Sequence, residues 1–296
     1  LGYVGKISEQ ELADNPQATI LDVTGKVGLE KTYNGVLTGR DGKQYVERDV
    51  SNEQRQVLRS QDPQTGQTLQ LTIDRALQQK LFDRLSAAVK TARSPGGAAV
   101  AIDPTTGQVL AMVSAPSYDD NWFVTSGHSK EIEQTLTGKN KPLLNRAIAG
   151  QYPSGSIIKP FIGVGAVAEK VVTPSTTVLS VGGFKVGHDT FPDWKSGGHG
   201  VTNLSKAIAE SVNTYYYILG GGFDQRPGLG VDRIVKYLQL FGWGNQLGID
   251  LPSEADGFLP TKDWRDHVRP TPWRLGDTYH LSIGQGDLEV TPLQVV

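Results

Sequence analysis

The sequence predicts an α+β fold, and three stretches carry that prediction. Residues 74 to 89 read as an amphipathic helix, residues 96 to 114 as an antiparallel hairpin, and residues 231 to 242 as a second helix with its own stop signal. Helices mixed with antiparallel strands point to a layered α+β domain from about residue 67 onward.

Taken in order, residues 1 to 66 are Gly-rich, polar and short-stranded. The run Gln44, Tyr45, Val46, Glu47, Arg48, Asp49, Val50 alternates as a strand does, and Asp41-Gly42 suits the turn before it. This segment is expected to be part of a small β-rich module. The polar stretch RSQDPQTGQTLQ, residues 59 to 70, reads as a linker with Pro63 and Gly66 as breakers. Asp74 then caps a helix whose apolar stripe is Leu77, Leu81, Leu85, Ala88 and Val89. In GGAAVAIDPTTGQVLAMVS two apolar runs flank an Asp-Pro-Thr-Thr-Gly turn. Asn203 caps a helix with Leu204, Ala207 and Ile208 facing inward, which is expected to end near Ser211 and to present Ser211 and Asn213 from a loop. Ile234, Val235, Leu238 and Phe241 mark the last clear helix, stopped by Gly242. No internal repeat or low-complexity tract is visible.

Composition narrows the function. A formal charge of -2 over 296 residues gives no footprint for nucleic acid. The absence of cysteine excludes disulfides, thiolate catalysis and Cys-ligated zinc. No apolar run reaches the ~20 residues that cross a bilayer, and no signal peptide opens the chain. The opening LGYVGKISEQEL reads as mid-domain text, so any anchor is expected upstream of Leu1.

The chemistry is concentrated in YPSGSIIKP, residues 152 to 160. Ser156 and Lys159 are one helical turn apart, on one face. Apolar neighbours Ile157, Ile158, Phe161 and Ile162 favour burial of the lysine, burial disfavours its charged form, and a neutral amine can take a proton from a serine. By itself the pair is as compatible with an ordinary helix start. A second cluster, SVNTYYY at 211 to 217, places Ser211 and Asn213 ahead of three tyrosines; alone it reads as a polar helix end with mixed core and surface aromatics. Ser-x-x-Lys followed by Ser-x-Asn is far more specific, because it is the set of a serine acyl-transfer site.

At this point the chain resembles the class B penicillin-binding proteins of the elongation type. PSYDDNWF (116 to 123), PLLNRAIAGQYPSGSIIKP (142 to 160), DWKSGGHG (193 to 200) and GDTYHLSIGQGDLEVTPLQ (276 to 294) are similar to family text in family order. The resemblance implies a penicillin-binding transpeptidase or serine β-lactamase-like domain, an antiparallel sheet with helices on both faces, over residues 67 to 296. Part of a non-catalytic, β-rich pedestal would precede it over 1 to 66. It implies Ser156 as nucleophile, Lys159 as its base, Ser211 as proton relay to the leaving group and Asn213 as a ligand of the substrate amide and of Lys159. Peptidoglycan stem peptides would be the substrate and β-lactams the covalent inhibitors. The implied partners are the membrane glycosyltransferase of the elongation complex and cell-shape proteins at the pedestal. Localisation would be the cytoplasmic membrane through a single-pass anchor, with the catalytic domain on its outer side. No cofactor or metal is implied for the chemistry.

One departure stands out. The family carries a Lys-Thr-Gly strand that supplies an oxyanion donor, and no Lys-Thr-Gly occurs here. The chain is therefore expected to stop short of that strand, and residues 1 to 296 alone are expected to acylate poorly or not at all. Some elongation-type relatives carry a zinc near the loop that here holds His188, Asp189, Asp193 and His199; without a cysteine the loop reads as structural and no metal is assigned. GVGAVAEK, residues 163 to 170, contains Gly-x-Gly but lacks the context of a phosphate loop and reads as small-residue helix packing. Trp194, Trp243 and Trp273 read as core or pocket-rim aromatics. Among rivals, a β-lactamase needs a hydrolytic glutamate on a loop after Ser-x-Asn, and Glu254, the one glutamate between 211 and 288, sits in text unlike that loop. A division-type relative and a β-lactam sensor or scaffold without turnover are the other readings.

Overall fold

A computed structural model describes residues 1–15 and 18–296. Its α+β content divides into two compact units. The first comprises Leu1–Gly97, Ile102–Leu143 and Ile249–Ser253, and the second Ala98–Ala101, Leu144–Gly248 and Glu254–Val296.

The first unit begins with β1 (Val4–Lys6), α1 (Glu9–Asp14) and β2 (Val23–Gly25), with β1 and β2 antiparallel. Ser8 opens α1 through a reciprocal capping box with Glu11. Two short helices, α2 (Gly28–Thr32) and α3 (Asn34–Leu37), lead to the antiparallel pair β3 (Lys43–Arg48) and β4 (Gln54–Gln61). β4 corrects the linker expected to start at residue 59: Arg59, Ser60 and Gln61 pair with Tyr45, Gln44 and Lys43. Every residue of β4 is exposed, so no in–out alternation marks it as a strand.

Helix α4 (Arg75–Thr91) starts where Asp74 accepts a hydrogen bond from the Leu77 amide, as its sequence predicts. Gln78 fastens the helix by exchanging two hydrogen bonds with the Met112 backbone, at 2.7 and 2.8 Å. The turn that joins β5 (Gly97–Ile102) to β6 (Val109–Ala115) is closed by Asp103 and Gln108, whose backbone groups bond at 2.9 Å. α5 (Ser129–Thr137) also belongs to this unit, whereas Ala98–Ala101 of β5 are counted with the second.

The second unit is built around two buried helices. A single 3-10 turn, Gly155–Ile158, runs directly into α6 (Lys159–Ala168). The antiparallel pair β7 (Val178–Ser180) and β10 (Gly200–Thr202) brackets the hairpin of β8 (Gly183–Val186) and β9 (Asp189–Pro192). Then come α7 (Leu204–Ala209), α8 (Asn213–Gly221), α9 (Gly230–Leu240), α10 (Lys262–Val268) and α11 (Leu275–Ser282). The core joins Ile158, Ile162 and Ala166 of the first segment to Tyr215, Tyr216 and Leu219 of α8, with Ile234 and Leu238 of α9 and Trp243. Small residues let α6 approach its neighbours: a Cβ on Gly163 would sit 3.2 Å from Leu204, and one on Gly165 3.0 Å from the Tyr237 ring. That matches the packing role read for residues 163 to 170.

Three local expectations need correction. Asn213 is the first residue of α8 and not part of a loop. Tyr215, Tyr216 and Tyr217 are all buried, because α8 is enclosed on every side. Ile208 is 45 % exposed, so of the residues expected to face inward on α7 only Ala207 is buried, and Leu204 packs partly buried against the core.

Candidate active site

Lys159 is the centre of the site. It is the first residue of α6, 2 % exposed, and its ammonium nitrogen reaches the loop between α7 and α8. There Nζ lies 2.7 Å from the Ser211 carbonyl, 2.9 Å from Ser211 Oγ and 2.7 Å from Asn213 Oδ1. Both contacts to Ser211 are made possible by its left-handed backbone, φ 53°. A non-glycine residue held there stores strain that the surrounding contacts must offset.

Burial lowers the Lys159 pKa to about 8, against a smaller upward pull from the Asp193 carboxylate. Nζ donates all three bonds, to the Ser211 carbonyl, Ser211 Oγ and Asn213 Oδ1, which matches the three N–H groups of the protonated amine; loss of one proton frees a lone pair at the same place. The Tyr216 ring, 5.5 Å from Nζ, covers one side of the group.

Ser156 belongs to the 3-10 turn just before Lys159 and is exposed. Its hydroxyl makes no hydrogen bond among the described residues, whereas Lys159, Ser211 and Asn213 are already joined. The structure thus assembles three of the four expected residues through hydrogen bonds and leaves the fourth open to solvent. An attacking hydroxyl has to be reachable by substrate, and hydrogen bonds of a catalytic base often tighten only in the complex.

Sequence reasoning missed Asp193 as part of this assembly. Its carboxylate is fully buried and accepts from the amides of Asn213 (3.1 Å) and Thr214 (3.1 Å) and from the Thr214 hydroxyl (2.8 Å). Ser180 Oγ and the Trp194 amide add further bonds at 3.1 and 3.0 Å. It therefore caps α8 from a loop twenty residues upstream, satisfying amides that the helix itself cannot. Burial pushes its pKa up, but the bonds from Thr214, Asn213 and Trp194 together outweigh that and lower it. The aspartate was visible in the sequence; its partner was not, because capping at that distance leaves no local signature.

His199 stands behind Asp193. Its Nδ1 lies 2.7 Å from Glu210 Oε2, and its buried Nε2 faces Asp193 Oδ1 at 3.6 Å without a hydrogen bond. The two carboxylates face different nitrogens of the ring. His188 and Asp189 lie at the exposed β8–β9 turn. Among the described residues no group of three His, Cys, Asp or Glu side chains is placed to hold a metal.

The remaining candidates fall into structural roles. Glu254 accepts from the amides of Leu247 and Gly248, at 2.7 and 3.0 Å, and so clamps its own loop. Trp243 is core, Trp273 donates to Thr278 Oγ1 at 2.8 Å, and Trp194 is 64 % exposed while donating to the Glu210 carbonyl at 3.1 Å.

Comparison with known proteins points the same way. The family model described as the penicillin binding protein transpeptidase domain matches residues 97–296, and that of the penicillin-binding protein dimerisation domain matches residues 1–71. The chain is 38% identical over 299 residues to peptidoglycan D,D-transpeptidase MrdA of Acinetobacter baumannii, covering all of this chain and 43% of that protein. It is 36% identical to MrdA of Escherichia coli K12, of which it covers 46%. The chain thus spans under half the length of these curated relatives. Among solved structures, PBP2 in complex with MreC from Helicobacter pylori superimposes with a TM-score of 0.84 at 34% identity, over 100% of this chain and 53% of that one. Pseudomonas aeruginosa PBP2 in complex with WCK 5153 gives 0.77 at 34% identity, over 99% and 59%.

Proposed function

The chain belongs to the penicillin-binding transpeptidase family, and from that premise we propose that it is part of an elongation-type peptidoglycan D,D-transpeptidase acting through a serine acyl-enzyme. The observation that carries the reading is the buried Lys159 amine bound to Ser211 and Asn213 one turn from an exposed Ser156.

In this reading Lys159, neutral, takes the Ser156 proton as Oγ attacks the carbonyl carbon of the penultimate D-Ala. The new C–O bond puts negative charge on the carbonyl oxygen. The Ser156 amide lies in the first turn of its helix, where no preceding carbonyl is available, and so serves as one donor to that oxyanion. Collapse breaks the C–N bond, and the proton held by Lys159 passes through Ser211 Oγ to the departing D-Ala nitrogen. Asn213 Oδ1 keeps Lys159 in place while its amide group binds the substrate backbone. An acceptor amine then attacks the ester, loses its proton to the same lysine, and restores the Ser156 hydroxyl.

We place the domain boundary near residue 66, with residues 1 to 66 as pedestal and residues 67 to 296 as catalytic. The pedestal is read as the surface for elongation partners, by analogy with the MreC complex of the H. pylori protein. No described helix is long and apolar enough to cross a membrane, and the catalytic unit is assigned to the outer side of the cytoplasmic membrane by family likeness. The engagement of Glu254 in its own loop argues against rapid hydrolysis of the acyl-enzyme. The test is D-Ala release from a pentapeptide stem by the full-length gene product: release coupled to incorporation of an acceptor amine is expected, and release into water alone would contradict the assignment.

A further inference from the structure

The segment after α11 runs along the stretch of chain that leads into the nucleophile. The Gly284 carbonyl accepts the Gly155 amide at 2.9 Å, one residue before Ser156. Val290 and Tyr152 exchange two backbone bonds at 2.9 Å, and the Leu293 amide donates to the Ala147 carbonyl at 2.9 Å. Residues 284 to 293 therefore run as a strap along 147 to 155. The strap is pinned by charge, since Asp287 pairs with Arg265 at 3.0 Å and with Arg269 at 2.7 Å.

Gly284 is the tightest point. Its φ is +72°, and a Cβ placed on it would lie 2.0 Å from the Gly155 carbonyl oxygen and 2.5 Å from Ser154 Oγ. The first partner is backbone and has no rotamer to escape into. A glycine that only ended α11 would need the positive φ but not this clearance. Gly230 supplies the contrast, with φ +74° and open space where a Cβ would stand.

We propose that Gly284 is a positioning residue for the nucleophile: by admitting the Gly155 carbonyl to van der Waals distance and bonding its amide, it fixes the backbone that carries Ser156. This rests on the reading of Ser156 as the nucleophile. A displacement of that backbone by about 1 Å is enough to lower a rate roughly a hundredfold.

The test compares Gly284→Ala, Gly230→Ala and Asp287→Asn in the full-length gene product. Two quantities are read: the rate of benzylpenicillin acylation at saturation, and amide hydrogen exchange at Gly155. Gly284→Ala is expected to lose about a hundredfold in saturated rate, with the half-saturating concentration little changed and Gly155 exchange accelerated. Gly230→Ala should stay near wild type in both. Asp287→Asn, which keeps Gly284, should move both in the same direction by less, and it stands in if Gly284→Ala does not fold. Acylation by Gly284→Ala or Asp287→Asn at the wild-type rate would overturn the proposal. If wild type itself forms no adduct, the functional reading fails separately, and equal Gly155 exchange in wild type and Gly284→Ala would then overturn the strap.

Discussion

Lys159→Met is expected to abolish most β-lactam acylation, by roughly 10²–10⁴-fold, while leaving the fold intact. Methionine fills a similar volume in the same pocket, so the loss isolates the amine. Wild type should show an acid limb whose midpoint follows the lysine, at about 8. The sign is fixed by the mechanism: only the neutral amine accepts a proton, so the rate rises tenfold per pH unit below that midpoint and levels above it. At pH 7 about a tenth of the amine is neutral; at its ordinary value only roughly three molecules in ten thousand would be. Stability follows the same group. Between about 8 and 10.5 the unfolded chain holds a proton that the folded one has shed, so wild-type stability rises with pH relative to the methionine variant. A flat rate profile from pH 6 to 9 would remove Lys159 as the base.

Asp193→Ala is expected to destabilise this unit strongly. Its carboxylate is the acceptor for the Asn213 and Thr214 amides, the Thr214 hydroxyl, Ser180 Oγ and the Trp194 amide. Each buried donor left without an acceptor costs about 1–3 kcal/mol, so a loss of about 3 kcal/mol or more is expected in chemical denaturation. Activity should fall further than stability, because α8 would no longer present Asn213 Oδ1 at 2.7 Å from Lys159. Asp193→Asn separates the two effects. It keeps the size of the group but removes the charge that holds the Lys159 pKa up, so the acid limb of the rate should move to lower pH. An unchanged denaturation midpoint in the alanine variant would show that the capping is dispensable.

The parts of this fold that were legible in the sequence are those whose cause is local. Asp74 and Asn203 cap helices as read, accepting from Leu77 and Lys206, because a cap needs only a side chain and an amide three residues on. Of the stripe read for α9, Ile234, Val235 and Leu238 are buried as their spacing implies, whereas Phe241 caps the end of the helix and is half exposed. β4 was hidden because a strand exposed on both faces carries no alternation. The three adjacent tyrosines of α8 point in different directions around a helix, and nothing in their own text says that all of those directions are filled. The site divides in the same manner. Ser156, Lys159, Ser211 and Asn213 were found from motif spacing, but that spacing placed Lys159 beside Ser156, while the structure bonds it to Ser211 and Asn213. Asp193 and Gly284 act across twenty and more than a hundred residues respectively, where residue spacing carries no information.

Ser156, as the nucleophile, forms a stable ester in the proposed reaction. Intact mass of the full-length gene product after exposure to benzylpenicillin tests it most directly, with Ser156→Ala alongside. One adduct with the mass of the whole drug is expected, persisting for many minutes and absent from the variant. An adduct that survives in Ser156→Ala would contradict it, and so would a wild-type protein that stays unmodified.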